Sequence, residues 1–362
     1  MAEKNPLGIF STRRILLPVL IGMGVAGFLV WRDLRNDGAV MADIVRNWTW
    51  QATGFLIAAM CCGIMRDLMY MYRIRLLSDK KLSWKQSFQV IMLWEFGSAI
   101  TPSVVGGSAL AFFIVSLEGI PVGRSTAIVM ITALLDELFY IVVAPITILL
   151  VGSALAFNTD FRFDVFGTTF GEFQVFLIGY GFMCLLTVVI LVAIFFFPQG
   201  FRKLLYKLSN ARLFRRLKPK MEKMGDDIVT SSQEFKHKGF LFWTKAYLCT
   251  VLSWTSRFFV LNFILLAFSP VGEHLLVFAR QLIMWIILCI SPTPGSSGIA
   301  EFAFPLFIGD FMREGTHAAI ALIWRGFTYY PYIILGLLVL PYWTKRVFAK
   351  SKENQRTTLK TN

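Results

Sequence analysis

Acidic residues and histidines are scarce in this chain. Among 362 residues there are 22 Asp and Glu against 36 Lys and Arg, and only three histidines, which are widely separated. The sequence contains no HExxH, GxSxG, P-loop or GxGxxG context. We therefore predict no catalytic residues, no metal site and no cofactor, and we do not expect an enzyme.

Cysteine is also scarce, and its placement excludes two further kinds of site. The five cysteines all lie inside apolar runs and lack the spacing of metal ligands: Cys61, Cys62, Cys184, Cys249 and Cys289. We interpret them as small apolar side chains of the interior, without disulfides.

Long apolar runs are what the sequence has in abundance. Hydrophobic residues make up 56% of the chain, and the mean hydropathy is +0.63. Several runs reach the roughly 20 residues that a helix needs to cross a bilayer. The net charge of +14 collects in the connecting segments, as the positive-inside rule and an anionic lipid surface require. These features indicate an integral membrane protein that binds no nucleic acid.

The basic residues also predict an orientation. The polar, basic residues 1–14 precede an apolar run from Ile15 to Trp31, which we interpret as a retained anchor with the N-terminus in the cytoplasm. A second span, about Trp48 to Tyr72, leads into a segment in which Arg73 and four more cations face a single acid, so this segment is also cytoplasmic. We expect a multi-pass protein of the plasma (inner) membrane with both termini cytoplasmic.

The longest polar segment is the clearest cytoplasmic signal. Residues 198–245 hold twelve Lys and Arg against four Asp and Glu. Within them, Phe201 to Leu217 places apolar residues at helical spacing among cations, which is typical of a helix lying on an anionic lipid surface. A solvated connecting helix is an equally good interpretation of the same pattern. We take segment 198–240 as the part of the chain that contacts anionic lipid.

Helix-breaking residues interrupt the apolar runs at two related places. TPSVVGG (Thr101 to Gly107) and SPTPGSSGIAE (Ser291 to Glu301) would each free backbone groups that must be buried in protein or line a watery cavity. An offset of 192 positions superposes them and gives eleven identities over residues 101–141. We interpret this match as an internal repeat.

The charge counts place the two copies in opposite orientations, which is the pattern of an inverted-topology repeat. We therefore predict an all-α polytopic membrane protein made of two inverted-topology repeats with broken or re-entrant helices. The first transmembrane half is 1–152, the second is 153–345 including the basic segment 198–240, and 346–362 is a disordered basic tail. Paired Gly/Pro interruptions at corresponding positions point to a transport site near the bilayer midplane.

Ionisable residues inside apolar runs cost a few kcal/mol each at a helix centre, so each should have a partner, water or substrate nearby. We favour a structural role near an interface for Asp67, Arg257 and Arg280, and a functional role for Arg66, Glu95, Asp136, Glu301 and Arg325. Asp136 shares a helix face with Thr132 and Tyr140, and Arg325 shares one with Tyr329. The adjacent Asp136 and Glu137 are the only acid pair that an enzyme could use, but neighbouring residues of a helix point to different faces.

The two breaks within a long apolar chain resemble the transmembrane region of lysylphosphatidylglycerol synthases and their stand-alone flippase-like relatives, over nearly the whole chain to about residue 345. The more specific motif is similar to the family pattern P-T-P-G-G-x-G-x-x-E, and this sequence has Ser296 where the family often has a second glycine. The matching residues are Pro292, Thr293, Pro294, Gly295, Gly298 and Glu301. The soluble aminoacyl-transfer domain of the synthases has no counterpart, so lipid synthesis is not expected.

The resemblance implies a protein that moves a polar-headed phospho- or glycolipid between leaflets. Arginines would hold the lipid phosphate, and acids would receive a cationic part of the headgroup or tune the arginines. Our predicted substrate-binding residues are Arg66, Glu95, Thr101, Pro102, Asp136, Arg257, Thr293, Pro294, Gly295, Gly298, Glu301 and Arg325. The alternatives are a transporter of a small soluble solute and a membrane-embedded lipid-modifying enzyme.

Overall fold

The computed structural model describes residues 48–101, 103–157, 162–165, 168–210, 218–269, 271–289 and 299–361, together with residues 31, 35 and 46. Thirteen helices and one hairpin lie in these ranges. The helices are α1 Trp50–Leu77, α2 Trp84–Ile100, α3 Ser103–Leu117, α4 Val122–Val151, α5 Ser153–Ala156, α6 Glu172–Leu191, α7 Pro198–Ser209, α8 Lys218–Lys236, α9 Phe240–Phe268, α10 His274–Leu288, α11 Ile299–Ile308, α12 His317–Thr328 and α13 Tyr330–Thr361. The hairpin pairs β1 Arg162–Val165 with β2 Thr168–Gly171 in antiparallel register.

The all-α polytopic fold is confirmed. Among the described residues, five helical segments are long and apolar enough to cross a membrane: Trp50–Leu77, Val122–Val151, Glu172–Phe196, Phe240–Phe268 and His317–Val347. The third of these continues α6 through a π-helical turn over Val192–Phe196. Two shorter apolar segments, His274–Leu288 and Phe302–Phe311, accompany them. The predicted anchor Ile15–Trp31 lies outside the described ranges except for Trp31.

The end of α2 lies where the helix-breaking residues predict it. The capping box of Ser83 and Gln86 starts α2, and α2 ends at Ile100, directly before the TPSVVGG break. α3 packs back against α2 so closely that a Cβ on Gly107 would lie 2.2 Å from Ser98 Oγ. Only glycine fits there, because α2 and α3 form a tight pair of short helices.

The predicted repeat has matching helix order. Shifting α2, α3 and α4 by 192 residues brings them onto α10, α11 and the α12–α13 region, so that two short helices precede a long apolar stretch in each copy. The inverted orientation of the copies and the re-entrant path of the short helices stay predictions.

Details of three helices differ from the sequence interpretation or add to it. The second span continues to Leu77, because the apolar face does not stop at the cations that follow Tyr72. The last span is confirmed as the apolar segment His317–Val347, and its helix is interrupted at Tyr329, before Pro331, which cannot donate a helical hydrogen bond. The tail that we predicted to be disordered continues α13 as helix to Thr361.

Charged residues attach α8 to the membrane-spanning body. At the start of α4, Arg124 pairs with Glu234 of α8 and lies 2.6 Å from Asp79 in the turn after α1. Lys238 also contacts Asp79, at 2.6 Å. Burial alone would raise the pKa of Asp79, but the Lys238 and Arg124 cations outweigh it, and the pKa lies below its ordinary value.

Candidate functional site: a charged cavity among the helices

A cavity of about 290 Å³ lies between α1, α2, α3, α4, α6, α9, α10, α12 and α13. Its charged lining consists of three cations and three acids, Arg73, Arg257, Arg325, Glu95, Asp136 and Glu137. Its aromatic lining includes Tyr70, Tyr140, Trp254, Trp285, Tyr329 and Tyr332. Such a site can hold a group with charges of both signs, because cations, acids and aromatic faces are all within its wall.

The cavity lies at the middle of two long helices, α4 and α9. Asp136 is fourteen residues from the first and fifteen from the last residue of α4. Trp254 is fourteen residues from both ends of α9, and its indole Nε1 donates a 2.8 Å hydrogen bond to Asp136 Oδ1. Two central residues of two spanning helices therefore meet at the cavity wall, far from both helix ends.

Asp136 is held mainly by an arginine of α1. Arg73 Nη1 and Nη2 donate to the two carboxylate oxygens of Asp136 at 2.6 and 3.2 Å, and Nη1 also donates to Thr250 Oγ1 at 2.7 Å. The Arg73 side chain is only 3% exposed. The two-point geometry fixes both side chains, as a planar guanidinium does with a carboxylate.

Glu95 lies between two other arginines, Arg66 and Arg257. Arg66 Nη2 lies 2.6 Å from one Glu95 oxygen, whereas Arg257 Nη1 lies 3.9 Å from the other. Arg66 also contacts Asp67 at 2.8 Å, and the guanidinium lies over the rings of Tyr70 and Tyr332. Arg66 is therefore fully enclosed behind Glu95, and Arg257 is the more weakly paired cation of the two.

Aromatic rings position the two remaining arginines of the cavity wall. The Arg257 guanidinium carbon is 5.3 Å from the centre of the Trp254 ring and 4.6 Å from that of Trp285. The Arg325 guanidinium carbon lies 4.8 Å from the centre of the Tyr329 ring. These contacts hold each cation against a π face.

The structure brings together four of the predicted site residues on the cavity wall, Glu95, Asp136, Arg257 and Arg325. Arg66 lies directly behind Glu95. Thr101 is not on the wall, because its hydroxyl caps α2 by donating to the Gly97 carbonyl at 2.6 Å. Outside the described residues lie Pro102, Thr293, Pro294, Gly295 and Gly298, and so does the side chain of Glu301 in the first turn of α11.

Sequence reasoning missed Arg73, which we had counted among the cytoplasmic cations. That interpretation was wrong, because Arg73 lies inside α1 and is buried. One signal could have found it. An aromatic residue stands three or four positions away from each cavity arginine, in the pairs Tyr70–Arg73, Trp254–Arg257 and Arg325–Tyr329. At that spacing the two side chains meet on one helix face.

Arg280 does not line the charged cavity. It lines a separate cavity of about 490 Å³ with Asp310, and its Nη1 donates to Asp310 Oδ2 at 2.6 Å. Its guanidinium also donates to the carbonyls of Leu155 and Phe307 at 3.3 and 3.4 Å. These bonds join α10 to α5 and α11, which agrees with the structural role that we favoured for Arg280.

Two comparisons relate this architecture to known proteins. A family model described as "Lysylphosphatidylglycerol synthase TM region" matches residues 15–336. A protein named "UPF0104 membrane protein" from Archaeoglobus fulgidus is 27% identical over 357 residues, which cover 94% of this chain and 100% of the relative. The matched region contains every residue that lines the charged cavity.

Proposed function

Because the chain belongs to the lysylphosphatidylglycerol synthase TM region family, we propose that it is a flippase-like protein, without enzymatic activity of its own, that moves a polar-headed lipid between leaflets. The observation that carries the proposal is the charged cavity at the middle of two long helices, α4 and α9. A charged headgroup crossing hydrocarbon needs such a polar route, since an uncompensated charge there costs several kcal/mol. The acyl chains would stay in the surrounding lipid.

Arg257 is the best candidate for the phosphate ligand. It is on the cavity wall, its side chain is 14% exposed, and among the described residues its nearest acid is 3.9 Å away, beyond hydrogen-bond distance. Two tryptophan rings hold it in place. A phosphate entering the cavity could therefore bind the guanidinium fork without breaking a close ion pair.

The other arginines have different roles in this proposal. Arg73 and Arg66 each make a close pair with a cavity acid, at 2.6 Å in both cases. They fix Asp136 and Glu95 so that these carboxylates face a cationic part of the headgroup. Arg325, against Tyr329, is a second candidate for the phosphate. The motif residues near Glu301 complete the predicted site.

The surface helix α7 supports an orientation. It follows the exposed Phe196 and Phe197 at the end of the α6 span, and between residues 198 and 217 the chain has six Lys and Arg and no acid. Leu204 and Leu208 are exposed on α7 next to the exposed Lys203 and Lys207. We infer that α7 lies on an anionic leaflet, which is the cytoplasmic leaflet of the plasma membrane.

The direct test is lipid exchange in proteoliposomes. Purified protein is reconstituted with a headgroup-labelled phospholipid, and a membrane-impermeant quencher reports how fast label reaches the outer leaflet. We expect faster exchange than in protein-free vesicles, and strongly reduced exchange for Glu95→Gln and Arg325→Gln. Equal exchange with and without protein would reject the proposed function, whereas unchanged exchange in both variants would reject only the assignment of the site.

A transporter of a small zwitterionic solute is the second candidate. A cavity of about 290 Å³ can also enclose a small zwitterion that has no acyl chains. The same vesicles distinguish the two functions. Uptake of radiolabelled amino acids into protein-containing vesicles, with no exchange of labelled lipid, would favour the solute transporter.

A further inference from the structure

Glu137 differs from the other acids of the cavity wall. Glu95 and Asp136 each lie 2.6 Å from an arginine nitrogen. Within the part of the chain that the structure describes, no Lys, Arg or His nitrogen lies within 4 Å of Glu137. Its close polar partner there is Thr187 of α6, whose hydroxyl donates to Glu137 Oε2 at 2.7 Å.

Glu137 is nevertheless deeply enclosed. The residue is 8% exposed and lies where α4 packs against α6 and α10. An ionised carboxylate is costly to bury without a cation, whereas a protonated carboxyl that exchanges a hydrogen bond with a hydroxyl is accommodated well. The enclosure of Glu137 therefore suits a carboxyl that carries a proton while the cavity is empty of cations.

The other charged groups around the cavity face partners other than Glu137. On the same helix, Asp136 is bound by Arg73 of α1. Arg257 of α9 faces Glu95 of α2, together with Arg66 of α1. From α12, Arg325 stacks on Tyr329. Near Glu137, α6 presents Thr187, and α10 is followed by the thiol of Cys289.

We propose that Glu137 is a proton-binding site that couples movement of the lipid headgroup to movement of a proton, an inference that rests on the proposed translocation function. A proton passes from cavity water to a Glu137 carboxylate oxygen. It returns to water when a cationic group of the substrate enters and replaces it as the partner of the carboxylate. Neutral Glu137 and bound cation exclude one another, because both neutralise the same buried charge. The lipid cation and the proton therefore use one site in turn.

Infrared difference spectroscopy of the purified protein tests the proton site without lipid transport. We expect a band from a protonated carboxyl near neutral pH, absent in Glu137→Gln and retained in Asp136→Asn. Thr187→Val should keep the band and move its frequency, because the hydrogen bond is lost. A band that persists in Glu137→Gln, or no such band in the wild type, would overturn the proposal. Size-exclusion profiles and circular dichroism confirm that each variant folds.

Vesicles with an imposed pH gradient test the coupling. We expect the gradient to change the rate of labelled-lipid exchange in the wild type, whereas Glu137→Gln should exchange at one rate with and without it. If the wild type shows the infrared band and exchanges lipid at a rate independent of the gradient, coupling is rejected. If the band is present and no lipid exchange occurs at all, the proposed function fails while the proton site stands.

Discussion

Arg73 and Asp136 lie 63 residues apart in the sequence and form a two-point ion pair, with nitrogen–oxygen distances of 2.6 and 3.2 Å. The pair joins α1 to the centre of α4, where the cavity lies. It leaves Asp136 with a fixed orientation toward the cavity, since Trp254 also donates to the same oxygen as Arg73 Nη1. The pair therefore contributes both to helix packing and to the position of a proposed substrate-binding acid.

Removing one partner of this ion pair should lower the stability of the folded protein. Arg73→Met would leave the Asp136 carboxylate without its cation in a largely buried place, and we expect a loss of about 3 kcal/mol of stability. Thermal unfolding in detergent measures it as a lower Tm. The double variant Arg73→Met with Asp136→Leu removes both charges and should lose less than the two single variants added together. Additive losses would show that the pair is not coupled.

The sequence predicted two of the three cavity acids, Glu95 and Asp136, and missed Glu137 and the arginine that pairs with Asp136. Glu95 and Asp136 stood out because placing an acid inside an apolar run costs free energy wherever in the run it lies. Arg73 did not, because a cation at the end of an apolar run has the same appearance whether it follows the membrane span or belongs to it. Only the helix continuing to Leu77 distinguishes the two, and that end depends on tertiary packing rather than local composition.

The breaks between helices followed the sequence more closely than their ends elsewhere did. Pro and Gly act locally, so the end of α2 before Thr101 was predictable. The interruption at Tyr329, two residues before Pro331, was not predicted. Which arginine faces the cavity and which is enclosed depends on contacts between helices far apart in the chain, such as Arg66 with Glu95, and no spacing rule contains that information.

Arg257 should need its planar fork and not only its charge. Arg257→Gln removes the charge, and we expect labelled-lipid exchange to fall by at least tenfold, since a charge-assisted hydrogen bond contributes about 1.5–3 kcal/mol. Arg257→Lys keeps the charge but cannot bind phosphate at two points, so exchange should be intermediate. Arg313→Gln is the matched control, because Arg313 is exposed and outside the charged cavity. Equal rates for Arg257→Lys and the wild type would contradict a two-point contact.

The ion pairs of Asp79 with Arg124 and Lys238 should make the stability of the protein depend on pH in acid. The pKa of Asp79 is lowered in the folded protein, so its contribution is fully present above the unfolded value of about 3.9 and is lost as pH falls through the lower, folded value. We expect the difference in Tm between wild type and Asp79→Asn to stay constant from neutral pH to about 5, then to shrink below about 4. Lys238→Gln should weaken this dependence, because it removes one of the cations. A difference that grows in acid would have the wrong sign.

Lys203 and Lys207 of α7 should respond to the lipid composition of the vesicle. The variant with both changed to Gln loses two charges that each contribute about 1 kcal/mol near an anionic surface. In vesicles containing phosphatidylglycerol, we expect a spectroscopic probe on α7 to lie less deeply in the membrane in this variant than in the wild type. In purely zwitterionic vesicles, the depth of the probe should differ little between the two proteins. The pair Lys81→Gln and Lys85→Gln loses the same charge at exposed positions away from α7. The surface role of α7 would be rejected if this control moved the probe as much.

Gly336 of α13 should not tolerate even a methyl group. A Cβ at this position would lie 2.3 Å from the Cβ and ring of Phe96 in α2, and Phe96 is fully buried. We expect Gly336→Ala to lower stability by about 1–3 kcal/mol through overpacking, measured as a fall in Tm in detergent. Gly326→Ala is the control, since it adds the same methyl group in the exposed face of α12 with nothing within 4 Å. Alanine favours a helix over glycine by about 1 kcal/mol, so Gly326→Ala should raise Tm. A fall of the same size in both variants would show that the close approach of α13 to α2 does not determine the result.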